Sequence, residues 1–286
     1  YQVKIKIPNE GVYRITASML SGLGINIAAG EVNTIKVIGG SGLPMDENPE
    51  KAEATTMCEQ PIIVKTTNNG DLESLTFYAN AASGFRGDSA AHRYNNWYGN
   101  NNYFFLRWGG TPGLRASAAQ NPQGTVANTP QTYTERYFFE ENLVNPYQQG
   151  SGRMFLGRSI MPSVFTTQLN GVDRSGIIKY RFGVAQNAPS AGYFDIFESD
   201  TKVVDNIALS SNGQYTAGTY RDVEVTMPAS KLPADNRSVL KFDYKPTQVA
   251  SSSGFFRYFE IHYPRTLAPM DNSISIFSDG NRGLTE

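Results

Sequence analysis

Along most of this chain the apolar residues recur at every second position. In "VKIKI" (3–7), Val3, Ile5 and Ile7 alternate with Lys4 and Lys6, the pattern of a strand with one buried face. "GVYRI" (11–15) follows across a Pro-Asn-Glu turn and predicts a hairpin partner for it. "TIKVIG" (34–39), "PIIVKT" (61–66), "SLTFYA" (74–79) and "NYFFLRW" (102–108) predict further strands, separated by turn signals such as Gly39-Gly40 and Asn69-Gly70. One short helix interrupts them. "TASMLSGLGI" (16–25) offers Thr16 as its N-cap and Gly22 or Gly24 as its end.

The second half alternates more strictly. "IIKYRFGV" (177–184) places Ile178, Tyr180, Phe182 and Val184 on one face and Lys179 and Arg181 on the other. "DVEVTM" (222–227) turns Val223, Val225 and Met227 inward, and "LKFDY" (240–244) does the same with Leu240, Phe242 and Tyr244. "FRYFEIHY" (256–263) and "SISIF" (273–277) complete the set. Strict alternation in the former puts His262 with Phe256, Tyr258 and Glu260, and puts Arg257, Phe259, Ile261 and Tyr263 on the opposite face. Residues 116–131, "ASAAQNPQGTVANTPQ", carry no period and read as a linker or long connection. The expectation is an all-β chain of two consecutive β-rich domains. Residues 1–118 would form an N-terminal domain with one short helix, and residues 132–286 a jelly-roll-like β-sandwich.

Composition agrees with that architecture. Charged residues make up only 18% of the chain, and Gly, Asn, Ser and aromatics are abundant, as suits a turn-rich β protein. With a net charge of -1, no global field draws the chain to nucleic acid or an anionic membrane. No apolar run reaches membrane-spanning length, so no transmembrane segment is expected. The chain opens at Tyr1 with no basic, apolar leader, and the lack of an initiator methionine gives the expectation of a processed or trimmed N-terminus.

Candidate chemistry is sparse. A single cysteine, Cys58, excludes an internal disulfide. A catalytic dyad of Cys58 with His92 or His262 would need an imidazole beside the thiol, yet Cys58 sits next to Glu59 in "TTMCEQP", without the small-residue context of a nucleophile. His262, beside Glu260 in a mixed strand, reads as a hydrogen-bonded structural side chain. Two histidines and one cysteine are too few for a zinc site. In "TTNNGDLES" (66–74), Asp71 and Glu73 with Asn68 and Asn69 offer oxygens to a calcium ion, but "NNGD" is also an ordinary hairpin turn. No other cofactor is expected; "GRMFLGRSI" (152–160) lacks the Gly-Lys-Ser/Thr ending of a phosphate loop. The most unusual segment is "HRYNNWYGNNNYFFLRW" (92–108). Its Trp97, Tyr98, Tyr103 and Trp108, among five asparagines, would form a stacking platform for a sugar or a protein partner if exposed, or an aromatic strand of the core if not. Its basic charge is too thin for single-stranded nucleic acid.

The order of these segments resembles a known family. "VKIKIPNEGVYRIT", a helical step and "VNTIKVIGGSGLPM" are followed by "DLESLTFYANAASGF" (71–85) and "HRYNNWYGNNNYFFLRWGG" (92–110). Then come "YTERYFFEENLVNP" (133–146), "GRMFLGRSI" and "RYFEIHYPRTL" (257–267). This set is similar to the N-terminal, non-catalytic region of gingipain-like cysteine peptidases, and within them to the sortase (signal peptidase) of the bacterial type IX secretion system. The resemblance implies that "RYFEIHYPRTL" precedes a caspase-like α/β peptidase domain bearing the catalytic His and Cys, which these residues do not include. It also implies a scaffold or docking role, with the peptidase domain in cis and other secretion-system proteins or secreted substrates as partners. The location implied is the bacterial cell surface, outer membrane-associated or secreted. The rival expectation from the residues alone is a carbohydrate-binding β-sandwich module using the aromatic segment.

Overall fold

The computed structural model describes residues 2–44, 48, 50, 57–85, 93–96, 99–118, 130–145, 155–160, 162–212, 218–270 and 274. The chain divides into two compact units, Tyr1–Gln123 and Gly124–Glu286. Residues 119–129 of the expected linker, and all of the expected strand 273–277 except Ile274, lie outside the described residues.

The first unit contains β1 (Gln2–Ile7), β2 (Gly11–Thr16), the short helix α1 (Ala17–Ser21), β3 (Lys36–Gly39), β4 (Cys58–Gln60) and β5 (Ile63–Thr66). β6 (Leu72–Ala79), β7 (Ser83–Phe85), β8 (Arg93–Asn95) and β9 (Asn102–Arg107) follow. β1 does not pair with β2, which corrects the expected hairpin. One sheet runs β1-β9-β3-β4, another runs β2-β6-β5, and β7 pairs with β8. The reason lies in what alternation specifies. It fixes which face of a strand is buried, not which strand lies beside it. β1 and β2 bring their apolar faces to one core from different sheets: Ile7, Phe104 and Leu106 from the first, Leu75 and Phe77 from the second. The rings of Phe77 and Phe104 meet at 5.9 Å. Helix α1 starts as expected, with Thr16 Oγ1 accepting the Met19 N–H at 3.2 Å, and Leu20 enters the core.

Arg115 locks the region beyond β9. Its guanidinium donates to the carbonyls of Val32 (3.0 Å), Asn33 (2.8 Å) and Ile35 (3.0 Å), where the 3-10 turn Ala29–Thr34 ends. They lie at a helix terminus, where carbonyls take partners from outside the helix, and the planar fork of arginine reaches several at once. Gly113 allows the approach, since a Cβ there would lie 2.0 Å from the Ile35 carbonyl oxygen.

The second unit contains β10 (Thr132–Glu140), β11 (Ser163–Gln168), β12 (Ile177–Asn187), β13 (Gly192–Glu198), β14 (Thr201–Leu209), β15 (Thr219–Pro228), β16 (Arg237–Pro246) and β17 (Ser253–Thr266). They form two four-stranded sheets, β10-β17-β12-β15 and β11-β16-β13-β14, with every pairing antiparallel. This strand order is that of a jelly roll, so the all-β sandwich expected from the sequence is the fold observed. The core is aromatic: Phe165 packs on Phe256 at 4.5 Å and edge-on to Phe242 at 5.6 Å.

Strand β17 departs from strict alternation. Tyr258 lies opposite Gly183 and Phe256 opposite Val184, which leaves Arg257 as an extra residue in β17. This β-bulge resets the period. Phe256 turns into the core with Phe259, Ile261 and Tyr263, while Arg257 turns outward and pairs with Asp222 at 2.8 Å. The faces expected for Phe256 and Arg257 are thus both reversed.

A polar tie crosses the sandwich interior. Glu198 of β13, 1% exposed, accepts the Tyr180 hydroxyl of β12 at 2.9 Å, the Val239 N–H at 2.7 Å and the Ser238 hydroxyl. Burial and the adjacent carboxylate push the Tyr180 phenol well above its ordinary pKa, so it stays a donor.

Truncating Phe259 or Ile261 to Ala should cost about 2–5 kcal/mol by denaturant unfolding. Phe256→Ala should fall in the same range of about 2–5 kcal/mol. A nearly neutral Phe256→Ala would mean that the ring faces solvent and that the bulge is misplaced.

Candidate functional site

The outward face of the sheet β10-β17-β12-β15 carries the densest set of polar side chains. Register sets them in rows across the strands. Phe138, Glu260, Arg181 and Glu224 form one row, and Arg136, His262, Lys179 and Thr226 form the next. Arg181 donates to Glu260 at 3.1 Å and to Glu224 at 3.1 Å, and Lys179 reaches Glu224 at 2.8 Å. His262 Nε2 lies 3.1 Å from Glu260 Oε2. Tyr258 lies over Gly183, where a Cβ would meet its ring at 2.5 Å, and it stacks on Phe138 at 5.9 Å. Packed this way, the Glu260 side chain is only 3% exposed.

Burial alone would raise the pKa of Glu260. The contacts with His262 and Arg181 outweigh it and hold the carboxyl below the usual carboxylate range. A second buried carboxylate behaves alike. Asp195, wholly inaccessible, is held ionised by Lys202 at 2.8 Å, by Lys245 and by the Asn206 N–H at 2.9 Å, against the effect of burial. Each is an ion cluster built around a buried carboxylate, and His262 contacts a carboxylate that is already engaged by an arginine. The partners Lys179, Arg181 and Glu224 escaped the sequence reading as a set. Their signal is opposite charge at outward positions of three strands, which becomes visible only when the strand order is known.

The other candidate residues are dispersed. Trp108 is 9% exposed and belongs to the core of the first unit, so it is not part of an exposed platform. Tyr103, 38% exposed, lies beneath the Lys4 ammonium at 3.8 Å from the ring centre. Trp97, Tyr98 and His92 lie outside the described residues. Two asparagine amides of this segment are used on backbone: Asn96 donates to Gly42 O at 3.1 Å, and Asn102 to Gly40 O at 3.1 Å and Asn80 O at 2.8 Å. They stitch loops together. Cys58 is exposed at the start of β4. Its thiol contacts are the Gly39 carbonyl at 3.7 Å and the Gln60 amide at 3.1 Å, neither of which is a base.

Asp71 closes the β5–β6 turn through its backbone, accepting the Thr67 N–H at 2.9 Å and donating to Thr67 Oγ1 at 3.2 Å. Gly70, at φ +84°, supplies the left-handed residue. Glu73 faces Arg14 at 3.4 Å, both half-exposed, an arrangement that adds little stability. Among the described residues no three His, Cys, Asp or Glu side chains gather as a metal site would require.

Glu260→Ala should cost about 1.5–3 kcal/mol, because Arg181 loses a charged hydrogen-bond partner while keeping Glu224. His262→Gln should cost under about 1 kcal/mol, the scale of one ordinary hydrogen bond. If His262→Gln leaves stability untouched yet abolishes the activity of a longer parent protein, this face is functional. The pH dependence has a definite sign. Both carboxyls have folded-state pKa values below their unfolded ones. Their contribution is therefore complete above about pH 4.5 and is lost as pH falls through the folded-state values. Thermal melts should show the second unit weakening below about pH 4, and the gap between wild type and Glu260→Gln closing there.

No protein-family model and no curated protein sequence matches this chain. Among solved structures, the crystal structure of dimeric latent PorU from Porphyromonas gingivalis superposes with a TM-score of 0.74 at 20% identity. The match covers 98% of this chain and 26% of PorU. The coat protein of Tobacco streak virus reaches a TM-score of only 0.25, over 51% of this chain and at 13% identity. This chain therefore shares the fold of a portion of PorU across nearly its whole length, and spans about a quarter of that protein.

Proposed function

We propose that this chain is the non-catalytic N-terminal scaffold and docking region of a gingipain-like cysteine peptidase, akin to the sortase of the type IX secretion system. The observation that carries the reading is the asymmetry of coverage. Nearly all of this chain corresponds to only 26% of PorU. The ordered motifs from "VKIKIPNEGVYRIT" to "RYFEIHYPRTL" support the same relationship independently of the superposition. The state of the polar groups supports a scaffold. The carboxylates, amides and arginines described above are engaged in holding strands, turns and loops. A catalytic group needs instead an accessible atom and a partner poised to exchange a proton with it.

In this reading a peptidase domain in cis packs after these units, and the whole works at the bacterial cell surface, outer membrane-associated or secreted. Other secretion-system proteins or secreted substrates dock on the scaffold. The test has two arms. The isolated chain, incubated with a broad peptide library, should cleave nothing; thiol-dependent cleavage lost in Cys58→Ala would overturn the reading. The reading frame of the parent gene should encode an α/β domain with a His and a Cys. A parent that ends without such a domain would equally overturn it.

A further inference from the structure

The outward face of the first unit's sheet β1-β9-β3-β4 differs from every other surface described above. Its inward residues, Val37, Phe104, Leu106 and Ile7, are core. By alternation its outward residues are Gln2, Lys4 and Lys6 of β1, Tyr103, Phe105 and Arg107 of β9, Lys36 and Ile38 of β3, and Glu59 of β4. Register places Gln2, Arg107 and Lys36 in one row, and Lys4, Phe105, Ile38 and Glu59 in the next, with Lys6 beside Tyr103. Four cations therefore share one face with two aromatic rings. The whole chain has 25 Lys and Arg against 26 Asp and Glu, so this is segregation of charge, not a reflection of composition.

None of the four is neutralised among the described residues. Lys36 Nζ bonds Thr111 Oγ1 at 2.7 Å, Arg107 Nε bonds Gln2 Oε1 at 2.9 Å, and Lys4 lies over the Tyr103 ring at 3.8 Å. All three partners are uncharged. The face's one carboxylate, Glu59, accepts the Leu114 N–H and lies on the opposite edge strand from Lys4 and Lys6.

The second observation is the free edge. β1 ends this sheet and pairs only with β9. Among the described residues no backbone group of Gln2–Ile7 is bonded elsewhere. Every second residue of such an edge presents its N–H and C=O outward. Lysines on an edge strand commonly serve to repel other edges. That accounts for Lys4 and Lys6, but not for Lys36 and Arg107, which lie on interior strands where no edge needs protection.

We propose that β1 and this basic face receive an extended acidic peptide as an added strand. Its backbone would complete the open ladder of Gln2–Ile7, and its outward carboxylates would meet Lys4 and Lys6, with Arg107 and Lys36 extending the field. β-strand addition of this kind draws affinity from main-chain hydrogen bonds and specificity from alternate side chains. The inference does not depend on the peptidase reading, since it rests on the first unit alone.

The test uses the full chain and a fluorescein-labelled Glu-Val-Glu-Val-Glu-Val peptide, read by anisotropy. Saturable binding is expected, weakening on going from about 50 to about 300 mM salt. Lys4→Gln with Lys6→Gln should lower affinity at least about tenfold, the loss of about 1.4 kcal/mol, while leaving the thermal melt unchanged. Hydrogen exchange across Gln2–Ile7 should slow in the complex. The same peptide N-methylated at alternate residues should lose binding, because it cannot complete the ladder. No saturation by about 1 mM peptide, equal binding of the N-methylated peptide, or an unmoved β1 would each overturn the proposal. Equal affinity for polygalacturonate or for oligo-thymidylate would overturn it too, since it would show a generic polyanion face.

Discussion

Everything in the second unit depends on a strand that is buried on both sides. One face of β17 supplies Phe256, Phe259, Ile261 and Tyr263 to the aromatic core. The other face carries Glu260, 2% exposed, and His262, 8% exposed. A carboxylate taken out of water is tolerated only when paired and hydrogen-bonded. Arg181 must therefore come from the adjacent strand at the facing position, and it does so at 3.1 Å. A register slip of one residue would drive Glu260 among phenylalanines and Phe259 among arginines. Both faces thus punish the same error, and the register is set twice over. The bulge at Arg257 sits where the two requirements would otherwise conflict. It brings Phe256 inward and gives Arg257 an outward position beside Asp222.

This explains what alternation could and could not reveal. The inward residues of β12, β15 and β16 were legible because period two and burial are the same statement for a one-sided strand. The N-cap at Thr16 was legible because capping is local chemistry. The bulge was not legible, since an extra residue leaves no mark in composition. Neither was the separation of β1 from β2, because a short turn between two one-sided strands fits either a hairpin or a corner between two sheets. Arg115 shows a further limit. Its partners Val32, Asn33 and Ile35 lie far upstream in the sequence, and nothing about an arginine after a Gly-Leu step says that it closes a turn there. Of the candidate site, Trp108 was legible only as an alternative, stacking platform or core, and packing chose the core. Five asparagines surround the aromatic residues of segment 92–108, and the amides of Asn96 and Asn102 bond carbonyls of neighbouring loops.

The scaffold reading also has a physical basis apart from similarity. In the second unit two polar side chains show how loops are tied to strands and to one another. Gln186, fully inaccessible, donates to the carbonyls of Ser190 and Ser210 and accepts the Tyr244 hydroxyl at 2.9 Å. Arg174 ties the carbonyls of Ser230, Leu232 and Pro233. Fully satisfied networks make a core specific and rigid. They are poorly suited to catalysis, where a group must exchange partners during turnover, and well suited to holding a surface in a fixed shape.

The two sheet faces rich in charge show how such a surface is told apart from a structural one. On β10-β17-β12-β15 the cations Lys179, Arg181 and Arg257 each have a carboxylate within 3.1 Å. Their fields cancel over a few ångströms, and the face projects little into solvent. On β1-β9-β3-β4 three of the four cations, Lys36, Arg107 and Lys4, rest on a hydroxyl, an amide and a ring. Those partners orient the side chains without cancelling their charge, so the field persists outward to about a Debye length, roughly 8 Å at physiological salt. Neutralised charge on a sheet face stabilises the fold that carries it. Oriented but unneutralised charge contributes little to that fold, and its energy is realised only when an opposite charge arrives.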